Sequence, residues 1–312
     1  MVLPEAEIAV WRRSGTDLAP PSGADHVLFS LDDVFAFKPD AAIIASPASL
    51  HLEAALPLAN AGVHLLIEKP LSSTSDNVDQ LVALCREKKL VLMVGYNLRF
   101  MPSLQKARAM VREGAIGRVI SVRAEVGQYL PQWRPHADYR KGVTAQSALG
   151  GGVLLELSHD IDYILWTLGL PGSVTAFGGH YSDLEIDVED VAEILVDYPE
   201  RRCLVSIHLD MVQQSAIRRC RFVGSEGILI WDCIADQIEY FRADRGEWLV
   251  IDDVRLEDRN FMYIEQLRHF LDCIETGSVP LCSGEDGLQC LEVVDAARRS
   301  IRDKQAVEFN WN

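Results

Sequence analysis

The chain has 312 residues, 48% hydrophobic and 24% charged, with 46 acidic against 30 basic side chains and a formal net charge of −16. That composition describes a folded globular protein of roughly two domains and excludes a disordered or collagen-like chain, and so acidic a surface disfavours nucleic-acid phosphates. No apolar run approaches the ~20 residues of a membrane span and no leader-like pattern follows Met1; seven scattered cysteines without a CxxC pair read as reduced thiols of a cytoplasmic protein, not a disulfide frame or metal site.

Taken in chain order, the first third predicts short strands alternating with helices. Residues 7–11 read as an apolar strand ending in Arg12-Arg13, and 26–29 as a second, followed by a helical turn over 30–35. Residues 41–45 are apolar at every position between Pro39-Asp40 and Ser46-Pro47, which predicts a strand buried on both faces, as in a parallel sheet. Leu52, Ala55, Leu56 and Ala59 recur at helical spacing until Gly62 stops the helix. Strands over 64–67 and 90–94 enclose a helix marked by Val78, Leu81, Val82 and Cys85. A doubly wound parallel sheet is the natural solution for this alternation.

Past Asn97 the rhythm changes. A helix over 102–112 ends at Gly114, and extended runs follow at 119–126, 174–177, 192–197, 203–209, 219–223, 227–231 and 237–241. Their apolar positions tend to alternate, as in an antiparallel sheet with one covered face. One apolar helix over 153–168 interrupts the strands, and two more, over 262–276 and 286–304, close the chain. The expected boundary puts an α/β domain over 1–98 and an α+β domain with a largely antiparallel sheet over 99–312.

Three segments carry a family resemblance. They are Pro39-Asp40-Ala41-Ala42-Ile43-Ile44-Ala45-Ser46-Pro47 with His51, then Gly62-Val63-His64-Leu65-Leu66-Ile67-Glu68-Lys69-Pro70-Leu71, then Gly150-Gly151-Gly152-Val153-Leu154-Leu155-Glu156-Leu157-Ser158-His159-Asp160-Ile161-Asp162. In this order and strand–helix context the chain resembles the glucose–fructose oxidoreductase / inositol dehydrogenase (Gfo/Idh/MocA) family from about Glu5 to its end, including the turn Gly224-Ser225-Glu226-Gly227. The resemblance implies a Rossmann-type domain, an NAD(P)-dependent oxidoreductase acting on a small sugar-type substrate, and a homodimer or homotetramer.

A dinucleotide site of that kind opens with a strand, a G-x-G-x-x-G turn and a helix whose N-terminus holds the pyrophosphate. No such motif precedes Glu7, and Gly150-Gly151-Gly152 falls in the other domain. The five early strands match strands two to six of the order 3-2-1-4-5-6, so the first βα unit, on the order of 25–30 residues, is missing. The expectation is a misassigned or secondary start at Met1 or a truncation, with a cofactor-free, non-catalytic remnant as the other reading; if that unit is essential, no dinucleotide binds.

By resemblance, Lys69 contacts the hydroxyl being oxidised and His159 is the second acid/base. An aspartate common four residues before this histidine is here Leu155, and on one continuous helix Glu156 would point about 100° away from that position. Asp160 or Asp162 are then the carboxylates left to orient the imidazole. The cofactor side is expected to involve Ser46, Pro47, His51, Glu68, Lys69 and Asn97, with Arg12 and Arg13 favouring the 2′-phosphate of NADP over NAD. Arg99 either approaches the same ring or ties the domains together. Tyr129, Trp133, Arg134, Tyr139 and Asp162 are expected at the substrate, since aromatic faces beside polar groups suit a carbohydrate. A hydrolase or epimerase using NAD in a transient oxidation is the alternative on this scaffold.

Overall fold

The computed structural model describes residues 5–12, 21–252, 256, 258 and 260–311. Its first third contains β1 (Ala9–Trp11), β2 (His26–Leu28), α1 (Leu31–Phe37), β3 (Ala41–Ile44), α2 (His51–Asn60), β4 (His64–Ile67), α3 (Val78–Glu87) and β5 (Leu92–Val94). Local chemistry explains the starts and stops. Ser30 accepts from the Asp33 amide while the Asp33 carboxylate accepts from the Ser30 amide, a capping box that opens α1. After α2 the chain turns at Gly62, whose φ of 90° favours glycine.

The parallel strands form two pieces. β3, β4 and β5 make one sheet, with Ala41 opposite His64 and Leu65 opposite Leu92. β1 and β2 make another, with Ala9 opposite His26. β4 and β5 are buried almost throughout, as continuous apolar runs predict. β3 departs from that expectation, because Ile43 is 58% exposed and only Ile44 is fully buried. The physical reason is that β3 pairs with β4 alone and its second edge has no strand beside it among the described residues.

The remainder contributes α4 (Pro102–Arg112), β6 (Val119–Gly127), α5 (Val153–Glu156), α6 (His159–Leu168), β7 (Ser173–Gly179), β8 (Val191–Tyr198), β9 (Cys203–Asp210), β10 (Ile217–Gly224), β11 (Gly227–Asp232), β12 (Gln237–Arg242), β13 (Glu247–Ile251), α7 (Asn260–Thr276), α8 (Gly284–Asp303) and β14 (Val307–Glu308). Nine strands form one sheet in the order β13-β12-β11-β10-β6-β9-β8-β7-β14. Every neighbouring pair is antiparallel except β6 with β9, where Ser121 lies opposite Leu204. The sheet's inner residues, such as Val122, Ile194, Val205 and Phe222, are buried; its outer face shows Phe177, Leu195 and Leu204. Two corrections follow for the elements: the single helix expected over 153–168 is two helices, and β13 and β14 carried no clear sequence signal.

Helix α8 serves both sheets. Ser300 Oγ accepts from the Ala176 amide in β7 at 2.9 Å, and a Cβ on Gly287 would meet Val94 Cγ2 of β5 at 2.7 Å. That approach requires glycine at 287.

A buried arginine fixes the crossing between the two halves. Arg99 sits in a 3₁₀ turn, Asn97–Phe100, and donates through Nε and Nη2 to the two oxygens of Asp162 on α6, at 3.0 and 2.7 Å. Its Nη1 donates to the Leu281 carbonyl at 2.7 Å, and its Nη2 reaches Asp286 of α8 at 3.3 Å. The Arg99 guanidinium lies 5.3 Å from the centroid of the Trp166 ring, and the Arg108 guanidinium lies over the same ring at 4.1 Å. Arg99→Met strands a buried carboxylate and is expected to lower unfolding free energy by about 3–5 kcal/mol in urea titration. Arg86→Ala, which removes the exposed Arg86–Glu285 pair, should change it by less than about 1 kcal/mol.

On the outer sheet face, hydrogen bonds to Asp210 at 3.0 Å and Glu193 at 2.6 Å push the His208 imidazole up to about 9, with partial burial opposing. Its folded value lies above the ordinary 6.5, so its stabilisation is complete below pH 6.5 and disappears as pH rises through 9. Screening at a part-exposed site leaves about 2 kcal/mol. His208→Gln should remove that portion of the pH dependence of the urea midpoint.

Candidate active site

The buried strand β4 delivers Glu68-Lys69-Pro70 to the carboxyl end of the parallel sheet, where ligands of open α/β sheets bind. The Lys69–Pro70 peptide is cis. Lys69 Nζ donates to the Glu156 carbonyl at 2.7 Å and lies 3.9 Å from Glu156 Oε2. Burial pulls the ammonium below its ordinary value; Glu156 opposes this and Arg218 adds to it. The half-buried Glu68 carboxyl is pushed up by burial, against the Lys69 amide and charge. A Cβ on Gly95 would meet Glu68 Oε2 at 2.8 Å, so a glycine there lets the chain after β5 pass across the carboxylate.

The break between α5 and α6 places Glu156. Its amide donates to the Gly152 carbonyl at 3.0 Å, and after Leu157 the helical course restarts at His159. A continuous helix would have turned Glu156 away; the interruption instead sets its carboxylate beside Lys69. This corrects the angular expectation for Glu156.

His159 is buried, and its Nδ1 has no hydrogen-bond partner. Tyr96 packs edge-on against the imidazole, with centroids 5.4 Å apart, while its hydroxyl reaches Ser158 and Cys290. Burial holds the imidazole well below its ordinary value, and the cations Lys69 and Arg218 add to that. The ring is therefore neutral. Neither expected carboxylate orients it. Asp160 accepts from the Tyr163 hydroxyl at 2.7 Å and pairs with Arg218 Nε at 3.2 Å. Asp162 is buried and held by Arg99, so its carboxylate is turned away from a substrate contact.

The other predicted residues divide. His51 is buried, with Nδ1 3.0 Å from the Pro70 carbonyl and Nε2 2.7 Å from the Ser46 carbonyl. It ties the Ser46-Pro47 turn to the lysine-bearing turn, a positioning contact in place of the expected cofactor contact. Ser46 Oγ at the end of β3 is buried without a partner, and Pro47 begins the turn into α2. Asn97 is buried in the 3₁₀ turn two residues after Gly95. The Arg12 amide donates to the Leu28 carbonyl at 2.9 Å, next to the end of β1, whereas Arg13 lies outside the described residues. In the 128–142 loop, Tyr129 is half-buried, Arg134 is exposed, the Trp133 indole donates to the Gln128 carbonyl at 2.9 Å, and the Tyr139 hydroxyl accepts from the Glu185 amide at 3.2 Å. The polar ends of both aromatics are thus engaged within the protein and their rings supply the surface.

A profile described as the oxidoreductase family's NAD-binding Rossmann fold matches residues 15–96, and one for its C-terminal alpha/beta domain matches 108–309. The chain belongs to the Gfo/Idh/MocA oxidoreductase family. The myo-inositol 2-dehydrogenase of Thermotoga maritima is 27% identical over 279 residues, 86% of this chain and 80% of that protein. An aldose-aldose oxidoreductase from Caulobacter crescentus, solved with glycerol, superposes with a TM-score of 0.78 at 25% identity, covering 91% of this chain and 84% of that one. A levoglucosan dehydrogenase in complex with NADH and levoglucosan has a TM-score of 0.82 at 21% identity, covering 92% of this chain and 85% of that one; at that identity the likeness is one of fold.

The fit of a nicotinamide dinucleotide to these residues is one-sided. At the carboxyl ends of the parallel strands stand Glu68, Lys69 and Asn97, with two buried, partnerless polar atoms, His159 Nδ1 and Ser46 Oγ. The pyrophosphate end calls for a glycine-rich turn opening a helix, and residues 1–312 contain no G-x-G-x-x-G.

Gly152, at φ 105°, allows the close approach of Glu189, whose carboxylate a Cβ would meet at 2.5 Å. Gly152→Ala is expected to cost about 1–3 kcal/mol in urea titration through the backbone conformation alone, and more from displacing Glu189 at the start of α5.

Proposed function

We propose that the protein interconverts a secondary hydroxyl and a carbonyl on a sugar or polyol, with Lys69 as the group that takes up and returns the hydroxyl proton. Membership of the family makes the chain an NAD(P)-dependent oxidoreductase of CH–OH groups. When bound, the dinucleotide supplies the hydride acceptor or donor at nicotinamide C4. The observation that carries the reading is the Lys69–Glu156 pair at the sheet's carboxyl end beside a neutral, buried His159.

Each residue has a distinct task. A lysine that takes a proton must first be unprotonated, and burial lowers the cost of that state. Glu156 limits the effect and fixes the amine's direction through its carbonyl. Kept neutral by burial, His159 offers a hydrogen bond to the same oxygen without adding charge. Glu68 and Asn97 are the nearest groups for the nicotinamide end. Tyr129, Trp133, Arg134 and Tyr139 provide stacking faces and a donor for a polyhydroxylated ring, in keeping with relatives named for inositol and aldoses.

Three finer assignments belong to the same reading. Arg12 and Arg13 favour NADP, which the ratio of NADPH to NADH affinity measures. The apolar residues on the outer sheet face join copies into a homodimer or homotetramer, and Leu204→Glu should shift the sedimentation coefficient towards the monomer. Seven unpaired cysteines suit the cytoplasm, and among the described residues no helix is long and apolar enough to cross a membrane.

In a form able to bind the dinucleotide, Lys69→Ala should lower kcat about 10²–10⁴-fold with unchanged fold; normal turnover refutes the proton-transfer role. Glu156→Gln removes a charge that supports the ammonium, so the lysine limb of the oxidative pH–kcat/KM profile should move to lower pH. Net NADH formation in proportion to product separates a dehydrogenase from a hydrolase or epimerase, which releases none.

A further inference from the structure

The two arginines that bracket α6 are not equally satisfied. All three nitrogens of the Arg99 guanidinium donate, to Asp162 and to the Leu281 carbonyl. Arg218 has no such set. Among the described residues Asp160 is the one carboxylate in its reach, 3.2 Å from Nε, yet no hydrogen bond forms and both atoms stay buried without a partner. The Cys233 thiol, a weak acceptor, is the other group beside it. A guanidinium largely out of water with donors unspent is costly, and it calls for an acceptor that arrives with a ligand. Its place fits that demand. Arg218 lies opposite Val126, one residue before the end of β6, and so beside the start of the 128–142 loop. Its inward phase directs it at α6, where Asp160 follows His159. Lys69 and His159 both feel its charge. A fifth of the side chain remains accessible, and since Nε is buried that surface lies elsewhere on the group.

We infer that Arg218 determines specificity, and that the substrate it selects is a sugar acid whose carboxylate meets the part of the guanidinium that Asp160 leaves open, while a hydroxyl of the same molecule lies at Lys69. A planar guanidinium matches a carboxylate through two parallel N–H···O bonds. Asp160 and Glu156 stand close by, and they repel a phosphate dianion more than a carboxylate monoanion. The formal charge of −16 repels anions from the chain at large, so selection of an acid requires a local cation of this kind. The carboxylate takes no part in the redox step: the hydride leaves its carbon for nicotinamide C4 and the hydroxyl proton goes to Lys69. This inference deepens the oxidoreductase reading and rests on it for the reacting hydroxyl; recognition of the acid rests on Arg218 alone.

The test measures Kd by isothermal titration of the 312-residue chain, with and without NADH, for D-gluconate and D-glucuronate and for the neutral D-glucitol and D-glucose that share their skeletons. At least one acid is expected to bind about 10-fold or more tighter than its neutral partner. Arg218→Met should abolish that preference, and Arg218→Lys should keep part of it. Because Arg218→Met strands the Asp160 carboxylate, the double variant Arg218→Met/Asp160→Asn removes both charges together and should show the same loss with the fold intact. A merely structural role would weaken acid and neutral ligand alike and leave their ratio unchanged. A wild-type chain without the preference, or a double variant that retains it, overturns the inference. So does tighter binding of D-glucose 6-phosphate than of either acid, which would give the site to a phosphate. Oxidation of a neutral polyol without any preference for the acid overturns the inference and keeps the proposed activity. An acid bound through Arg218 but never oxidised leaves the recognition standing and removes that activity.

Discussion

The Arg99–Asp162 pair is the constraint on which the site's geometry depends. Both side chains are out of water, and neither charge could stay there without the other. Its consequence is positional. Arg99 belongs to the turn that leaves the parallel sheet, Asp162 to the helix that begins with His159, and the Leu281 carbonyl and Asp286 to the start of the last helix. One guanidinium therefore fixes three segments far apart in sequence, and the imidazole and the lysine are held in relation to one another by a contact that touches neither.

A second buried arginine does comparable work from the opposite side. Arg218 projects from β10 towards α6 and meets Asp160, which Tyr163 also engages. This pair accounts for the carboxylate next to the histidine in sequence, and the Arg218 charge adds to the burial that lowers the proton affinity of both Lys69 and His159. The acid that approaches Lys69 comes from elsewhere, at the interruption between α5 and α6. Two carboxylates, Asp160 and Asp162, follow the histidine in sequence, and both are paired with arginines.

Much of the architecture was legible beforehand because it rests on periodicity. The apolar runs of 65–67 and 90–94, the helix over 102–112 closed by Gly114, and the alternation through 203–209 are signals carried by the residues themselves. What escaped depends on partners distant in the chain. No local pattern announces that Asp162 faces Arg99, or that both nitrogens of His51 meet main-chain carbonyls. The interruption at Leu157-Ser158 had a faint signal, a serine followed within one turn by Asp160 and Asp162, which can mark the start of a helix. Arg218 had a clearer one. It shares the inward phase of Cys220 and Phe222 in an alternating strand, and an inward arginine implies a buried partner.

The shared position of α8 bears on how such a chain can be divided. The change of sequence rhythm after Asn97 led to an expected boundary near residue 98. Yet Gly287 lies against Val94 and Leu71 of the first part, while Ser300 holds a strand of the second. Severing the chain at the boundary would uncover apolar surface on β5 that nothing in the first hundred residues can conceal. The two modules visible in the sequence share one helix, α8, which packs against both.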